Sequence, residues 1–377
     1  MIRDEQVRAL DRPHQPIQDL SRTAMIASVG SAFPGASYTQ EQVGRLLGLE
    51  HRAVRRLLAA PHIAKRHLYL PPPDPSTGRV PDETPSDLHR KFRRGALELG
   101  SRAITDALRA AALDPADIGY LVCVTSTGFL VPGLSSLFSR ELGFDHRLVR
   151  ADVVGMGCNA GLNGLNPLVQ WVRNNPGRNA LLVCCEINSA MYVLDESLRT
   201  GIVNSIFGDG AAAAVVTGSG QCGSTPIPGV LDFESFCLPE QWEAMRFDWN
   251  ADAGKWSFYL DRDIPRVIGA HVRVPVTRLL ARHGLRRSDI RHWVLHTGGG
   301  AVIDAVGAGL GLDEHDVRHT RSVLHDFGNI SSGSFLVSLQ RLLAEGRAAD
   351  GDLGVLVTMG PGAQIETALF QFGAPAC

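Results

Sequence analysis

The feature that most constrains this chain is a faint repeat of itself. Leu113–Val124 (LDPADIGYLVCV) resembles Leu285–His296 (LRRSDIRHWVLH). Each copy follows a helix-like stretch, Gly100–Ala112 in the first case and Ile268–Gly284 in the second, and each runs into an apolar strand. Farther on, Gly157-Cys158 aligns with Gly328-Asn329. Both pairs open a run of small and apolar residues that reads as a buried helix, CNAGLNGLNPLVQWV and NISSGSFLVSLQRLL. Phe207-Gly-Asp-Gly then resembles Met359-Gly-Pro-Gly. Three matches in one order indicate duplication of an α/β half. Strands alternating with helical stretches give a layered α/β architecture. Ala160, Gly161 and Gly164 in one helix, and Ser331, Ser332 and Gly333 in the other, permit close packing. The two helices are therefore expected between sheets rather than on the surface. The expected division is residues 1–226 and residues 227–377, with one site shared between the halves.

Composition narrows the function classes. The chain has 377 residues, 44% hydrophobic, with 37 basic against 39 acidic side chains. That balance excludes a disordered chain and a dedicated nucleic-acid binder. No apolar run approaches the roughly 18–20 residues that span a bilayer, and the leading MIRDEQVRALDRPHQPIQDLSR is too charged for a secretory h-region. A soluble, cytoplasmic protein is expected. Seven cysteines, an odd number at irregular spacing, argue against a disulfide framework. Only Lys65, Lys91 and Lys255 are lysines, so arginine carries nearly all the positive charge, which reads as coding bias more than as selection for phosphate. Locally, Thr23–Gly30 reads as a buried strand. Thr39 and Gln42 have capping-box spacing, and the proline-rich Tyr69–Pro85 reads as an exposed loop.

Three residues stand out chemically. Cys158 lies in Val153–Gly164 (VVGMGCNAGLNG), after an apolar strand and at a helix start, where unpaired N–H groups and the helix dipole favour a thiolate. His296 ends a strand beside Gly298-Gly299-Gly300 and is expected to project into the crevice at the strand ends. Asn329 sits at the other small-residue helix start. Taken singly, these are a buried thiol, a loop histidine and a helix cap. Together they suit acyl transfer. Cys158 forms a thioester, an imidazolium His296 stabilises the thiolate, and His296 with Asn329 polarises a thioester carbonyl. That polarisation stabilises the enolate released when a malonyl group loses CO₂.

At these residues the chain resembles the type III polyketide synthases of the chalcone/stilbene synthase superfamily, on the thiolase fold. The carrying motifs are GMGCNAGLN around Cys158, FGDGAAA at Phe207–Ala213, HTGGGAVID at His296, FGNISSGS at Asn329, and MGPGAQIET near the end. Within the superfamily it is most similar to bacterial 3,5-dihydroxyphenylacetyl-CoA synthases of glycopeptide-antibiotic pathways. That likeness rests on TSTGFLVPGLS (Thr125–Ser135), Val153–Asn163, AMRFDWN (Ala244–Asn250), IPRVIGAHV (Ile264–Val272) and GLRRSDIRHW (Gly284–Trp293). The resemblance implies duplicated α/β/α/β/α halves, a homodimer, malonyl-CoA as extender and no cofactor or metal. Pathway enzymes would assist dehydration and release. Residue by residue, it makes Cys158, His296 and Asn329 catalytic. Phe207 and Phe258 become gatekeepers between the CoA tunnel and the cavity. Ser331, Ser126, Asn188 and Met191 become cavity residues, and Gly298, Gly299 and Ala301 line the pantetheine path.

The departures are informative. Of three basic positions that hold CoA phosphates in plant enzymes, only Arg56 is retained, Ala53 and Ala60 standing at the others. Arg52, Arg55 and Lys65 are the nearby cations. Ser126, Asn188 and Met191 replace the cavity threonines of chalcone synthases, and Val131 replaces the methionine that crosses their dimer interface. These changes argue against a bulky aromatic starter and for an acetyl- or malonyl-derived one, extended to a tetraketide. Rival readings are a type III synthase making another small aromatic or a pyrone, a ketosynthase III, and a non-catalytic acyl-CoA-binding partner. Gly218–Gly223 fits a dinucleotide fingerprint, but Thr225-Pro226-Ile227-Pro228 cannot open the helix it needs. His292/His296 lie along a strand and His315/His319 in a charged turn, so neither pair suits a metal.

Overall fold

The structure is a computed structural model that describes residues 23–218 and 226–373. The charged leading segment, Cys222 with most of the Gly218–Gly223 motif, and Cys377 lie outside them. In chain order the first half contains β1 (Ala24–Ala32), β2 (Ser37–Thr39), α1 (Gln40–Leu46), α2 (Arg52–Leu58) and β3 (Lys65–His67). There follow α3 (Pro85–Ala110), β4 (Ile118–Thr125), α4 (Leu134–Leu142), β5 (Val149–Val154), α5 (Ala160–Asn174), β6 (Asn179–Glu186), α6 (Leu198–Ile206) and β7 (Gly210–Thr217). The second half opens with β8 (Ile227–Phe236) and the hairpin β9 (Met245–Asn250) and β10 (Lys255–Leu260). Then come α7 (Ile264–His271), α8 (Arg273–Arg282), β11 (Ile290–Leu295), α9 (Gly300–Leu310), α10 (Arg318–Phe327), α11 (Ser334–Glu345), β12 (Leu353–Gly360) and β13 (Gln364–Gly373).

Nine strands form one sheet in the order β11-β12-β13-β8-β1-β7-β6-β4-β5. Its two sides repeat one another. β4 runs parallel to β6, β6 antiparallel to β7, and β7 antiparallel to β1. β11 likewise runs parallel to β12, β12 antiparallel to β13, and β13 antiparallel to β8. The sides join where Ala24 and Met25 pair with Val230 and Gly229. Among the described residues the edge strand β5 has no counterpart beyond β11, so the repeat there is incomplete.

Alternation along each strand builds five layers. Val122, Val124, Leu182 and Cys184 face α5 and α11 in the middle, together with Val294, Leu356 and Ala368 of the other side. Their sequence neighbours face out. Leu121, Cys123, Leu181 and Val183 pack on α3, while Trp293, Leu295, Val355 and Val357 pack on α7, α8 and α9. Strands covered on both faces read as continuous apolar runs, which is why they were legible as buried strands. The central helices touch closely. A Cβ on Gly161 would stand 2.4 Å from the Ser332 carbonyl oxygen and 2.5 Å from the Phe335 ring, so only glycine fits there.

Two expected details shift. The helix before β4 is Pro85–Ala110 rather than Gly100–Ala112, capped by Thr84 with a reciprocal Asp87. The helix before β11 is two, α7 and α8, meeting at Val272. The capping box at Thr39 and Gln42 is present as read. His319 is more enclosed than a solvated turn implies, since its Nε2 lies 2.9 Å from Glu345 Oε2 at the end of α11.

Candidate active site

Each central helix is entered through one 3-10 turn, Gly157–Asn159 before α5 and Ser331–Gly333 before α11. By position Cys158 therefore corresponds to Ser332. Asn329 sits upstream of its turn, so the alignment of Gly157-Cys158 with Gly328-Asn329 is out of register. The local backbone explains why glycine and asparagine stand there. Gly157 has φ +73°, and a Cβ on it would meet Pro361 Cδ at 2.2 Å. Ser331 has φ +51°, a left-handed conformation costing about 1–2 kcal/mol for a residue with a side chain. The Asn329 Oδ1, accepting from the Ser331 N–H at 2.8 Å, holds it there.

That bend aims the Ser331 hydroxyl at the thiol, donating to Cys158 Sγ at 3.5 Å. With Oδ1 engaged, the Asn329 amide nitrogen is left to donate, and it too acts on the Cys158 sulfur. Cys158, His296 and Asn329 are 9%, 3% and 2% exposed. Burial pushes the thiol up to about 12, with Glu186 adding to it and Ser331 and Asn329 opposing. Burial also holds His296 down at about 3. The resting site therefore favours a neutral thiol and a neutral imidazole rather than the thiolate–imidazolium pair expected from the helix start. Desolvation of two charges outweighs the dipole of one helix end. His296 is oriented by Nδ1, 2.7 Å from Ser334 Oγ, which leaves Nε2 without a hydrogen bond among the described residues.

The cavity beside Cys158 is about 30 Å³ and lined by residues that include Ser126, Asn188, Met191, Phe207, Phe258 and Ser331, the four expected cavity residues and both expected gatekeepers. Phe207 and Phe258 meet edge to face at 5.8 Å, and Phe247 packs on Phe258 at 4.9 Å. Phe207 is tied to the catalytic candidates through its backbone. Gly208 N–H donates to the Asn329 carbonyl and Asn329 N–H to the Ile206 carbonyl, both at 3.0 Å. The Phe207 carbonyl accepts from buried Arg66 and from Tyr192, each at 2.7 Å. On the other flank, Gly299 has φ +126° and Gly300 packs on His62, where a Cβ would stand 2.5 Å from the ring. Among the basic candidates on and after α2, Arg55 is spent on Glu50. Arg52, Arg56 and Lys65 are exposed, and Arg52 and Arg56 share one helix face.

One residue beside the thiol escaped the sequence reading. Glu186 is fully buried and accepts from Ser126 N–H and Thr127 Oγ1 at 2.9 Å and from Ser332 Oγ at 2.5 Å. It thereby ties the ends of β4 and β6 to the turn before α11, beneath the cavity. Its signal in the sequence was a lone carboxylate closing the apolar strand LLVCCE.

Comparison with known proteins places this geometry in context. Sequence models of the N-terminal and C-terminal domains of chalcone and stilbene synthases match residues 88–221 and 242–372. The chain is 49% identical over 369 residues, 97% of itself and 92% of its relative, to a 3,5-dihydroxyphenylacetyl-CoA synthase of Streptomyces toyocaensis. It is 48% identical to one of Amycolatopsis balhimycina, over 95% of this chain and 97% of that one. Among solved structures, 1,3,6,8-tetrahydroxynaphthalene synthase of Streptomyces coelicolor A3(2), a bacterial type III polyketide synthase, superposes with TM-score 0.83 at 28% identity, covering 93% of this chain and 99% of that one.

Proposed function

The chain belongs to the chalcone and stilbene synthase family, and from that premise we propose that it makes 3,5-dihydroxyphenylacetyl-CoA from malonyl-CoA. As a type III polyketide synthase on the thiolase fold it is an acyltransferase. It catalyses decarboxylative condensation of malonyl-CoA and needs no cofactor beyond its CoA thioester substrates. The product assignment is carried by near-half identity with two synthases of that name over almost the whole chain. The narrow cavity, lined by the bulky Met191, Phe247 and Phe258, supports a small starter.

In the proposed cycle, Cys158 attacks the starter thioester and its proton passes to His296, so that charge forms only when substrate is present to be acylated. CoA leaves. Malonyl-CoA then enters past Phe207 and Phe258, whose ring faces exclude water. His296 and Asn329 donate to its thioester carbonyl as CO₂ departs, which stabilises the enolate. The enolate carbon attacks the Cys158 thioester, the C–C bond forms, the C–S bond breaks, and the released thiolate takes a proton from solvent to regenerate the thiol, which the extended CoA thioester then acylates in turn. Repetition gives a tetraketide, which closes by a carbon–carbon condensation and aromatises. Residues 1–226 supply the nucleophile and residues 227–377 supply His296 and Asn329, so the halves act as one unit. Arg56, joined by Arg52, holds the CoA phosphates, and Gly298, Gly299 and Ala301 border the pantetheine. We further assign a homodimer and, since the five described cysteines are free thiols, a cytoplasmic location. Pathway enzymes assist dehydration and release.

Mass spectrometry of products from malonyl-CoA alone, and with pathway partners, tests this. The expected result is the dihydroxyphenylacetyl product, with none from Cys158→Ala. Triacetic lactone alone, even with partners present, overturns the product assignment, and condensation by Cys158→Ala overturns the mechanism.

A further inference from the structure

A cavity of about 30 Å³ has room for about two water molecules, so part of its wall yields as substrate enters and the chain grows. The wall elements least tied to the main sheet are β9 and β10, which form a separate two-stranded sheet. A lone hairpin is marginally stable, so its tethers set its position. Register divides the hairpin into two faces. Phe247 pairs with Phe258 and Trp249 with Trp256 on one, while Arg246 pairs with Tyr259 and Asp248 with Ser257 on the other. The first face carries one side of the aromatic gate. The second is gripped by α6.

Arg199, in the first turn of α6, donates through Nη2 to Asp248 Oδ2 at 2.8 Å and to the Ser257 carbonyl at 3.2 Å. Its guanidinium also lies 5.1 Å over the Tyr259 ring. One side chain thus spans both strands of the hairpin. Arg246 steadies Asp248 from its own strand, Nε to Oδ1 at 2.9 Å, and lies over the same ring. The helix that begins beside Arg199 ends at Phe207, so α6 carries the strut at one end and the opposing gate ring at the other. The tip of the hairpin is held separately, by Lys255 on Asp82 and Asn250 on Asp195.

We propose that the Arg199–Asp248 pair is the strut that sets the gap between Phe207 and Phe258, and that its release opens the gate. Arg199 is a positioning residue acting through Phe258, and the proposal rests on reading the two phenylalanines as the gate. Both partners are about a third exposed, 34% and 36%. Such a pair is weak, screened by salt and easily broken, as a strut that must give way several times per product requires.

The test uses the full chain and reads the rate of Cys158 alkylation by iodoacetamide without substrate and, with malonyl-CoA added, the ratio of early-released to full-length products. Arg199→Gln and Asp248→Asn are expected to raise both by roughly two- to fivefold, and Arg199→Lys by less. Arg246 steadies Asp248 but does not reach α6, so Arg246→Gln should raise alkylation by less than Arg199→Gln does. High salt should raise the wild-type rate towards that of Arg199→Gln and leave the Arg199→Gln rate where it is, a readout that needs no variant to fold and that a merely structural role would not give. Phe258→Ala supplies the gate control. If it speeds alkylation while neither Arg199→Gln nor salt does, the strut is refuted and the gate stands. If all three are without effect, the gate falls with it.

Discussion

Replacing Glu186 separates a buried anion from the scaffolding it organises. Alanine would leave the Ser126 N–H and the Thr127 and Ser332 hydroxyls without their present acceptor, and would open a void where β4, β6 and the turn before α11 meet. Each orphaned buried donor costs about 1–3 kcal/mol. The hydroxyls can turn to other partners, Thr127 towards Thr125 Oγ1 at 3.4 Å, so the sum should be about 3–5 kcal/mol. Glutamine keeps one acceptor oxygen for Ser126 and Thr127 and turns its amide to Ser332, whose hydroxyl can accept. Its cost should be about 1 kcal/mol or less. A difference of about 3 kcal/mol corresponds to roughly 4 °C in melting temperature for a chain of this length, which scanning fluorimetry resolves. The two variants also differ from wild type in pH response. Burial raises the Glu186 pKa above its ordinary 4.5, so ionising it weakens the fold. The stability it contributes is full below that value and is lost as pH rises through the raised one. Glutamine should therefore gain on wild type as pH increases from 4.5 upward. Removing the anion also withdraws one cause of the raised Cys158 pKa, so Glu186→Gln should speed alkylation of Cys158 at fixed pH. Equal melting temperatures for Glu186→Ala and Glu186→Gln would refute the hydrogen-bond account. A Glu186→Gln advantage that shrinks with rising pH would refute the electrostatic one.

Asn329→Ala should lose malonyl decarboxylation far more than starter loading, read as CO₂ release against acyl adduct by mass spectrometry. Equal losses would reduce Asn329 to the brace of Ser331. Arg52→Ala with Arg56→Ala should raise KM for malonyl-CoA about tenfold with little change in kcat, since phosphate contacts of about 1.4 kcal/mol are uniform binding. An unchanged KM would move the phosphate site elsewhere.

The architecture was readable where chemistry repeats. The small-residue helix starts, the paired strand entries and the glycine turns all recur, and all three map to corresponding elements. The helix Pro85–Ala110 was half missed, although Leu88, Phe92, Ala96, Leu99, Ala103 and Ala107 follow helical spacing, because the charged DLHRKFRR stretch masks its apolar stripe. Cys158, His296 and Asn329 were legible through their glycine frames. Their protonation was not, since it depends on burial between sheets that no local motif reports. Glu186 and Arg199 escaped because each acts through partners distant in the chain, Ser332 in one case and Asp248 in the other.

The seating of α11 has a consequence for biosynthesis. Phe335, Leu336 and Leu339 belong to the same apolar cluster as Leu162, Leu165 and Val169 of α5, yet they are made long after them. A nascent chain that has left the ribosome as far as β7 holds α5 with one flank uncovered, and long-range contacts of this kind form slowly. The N-terminal portion must therefore wait, greasy side open, for the last quarter of the message to be read. Chaperone demand and sensitivity to translational stalling should concentrate in that interval, and a gene cut between β7 and β8 should yield two sticky fragments rather than two usable proteins.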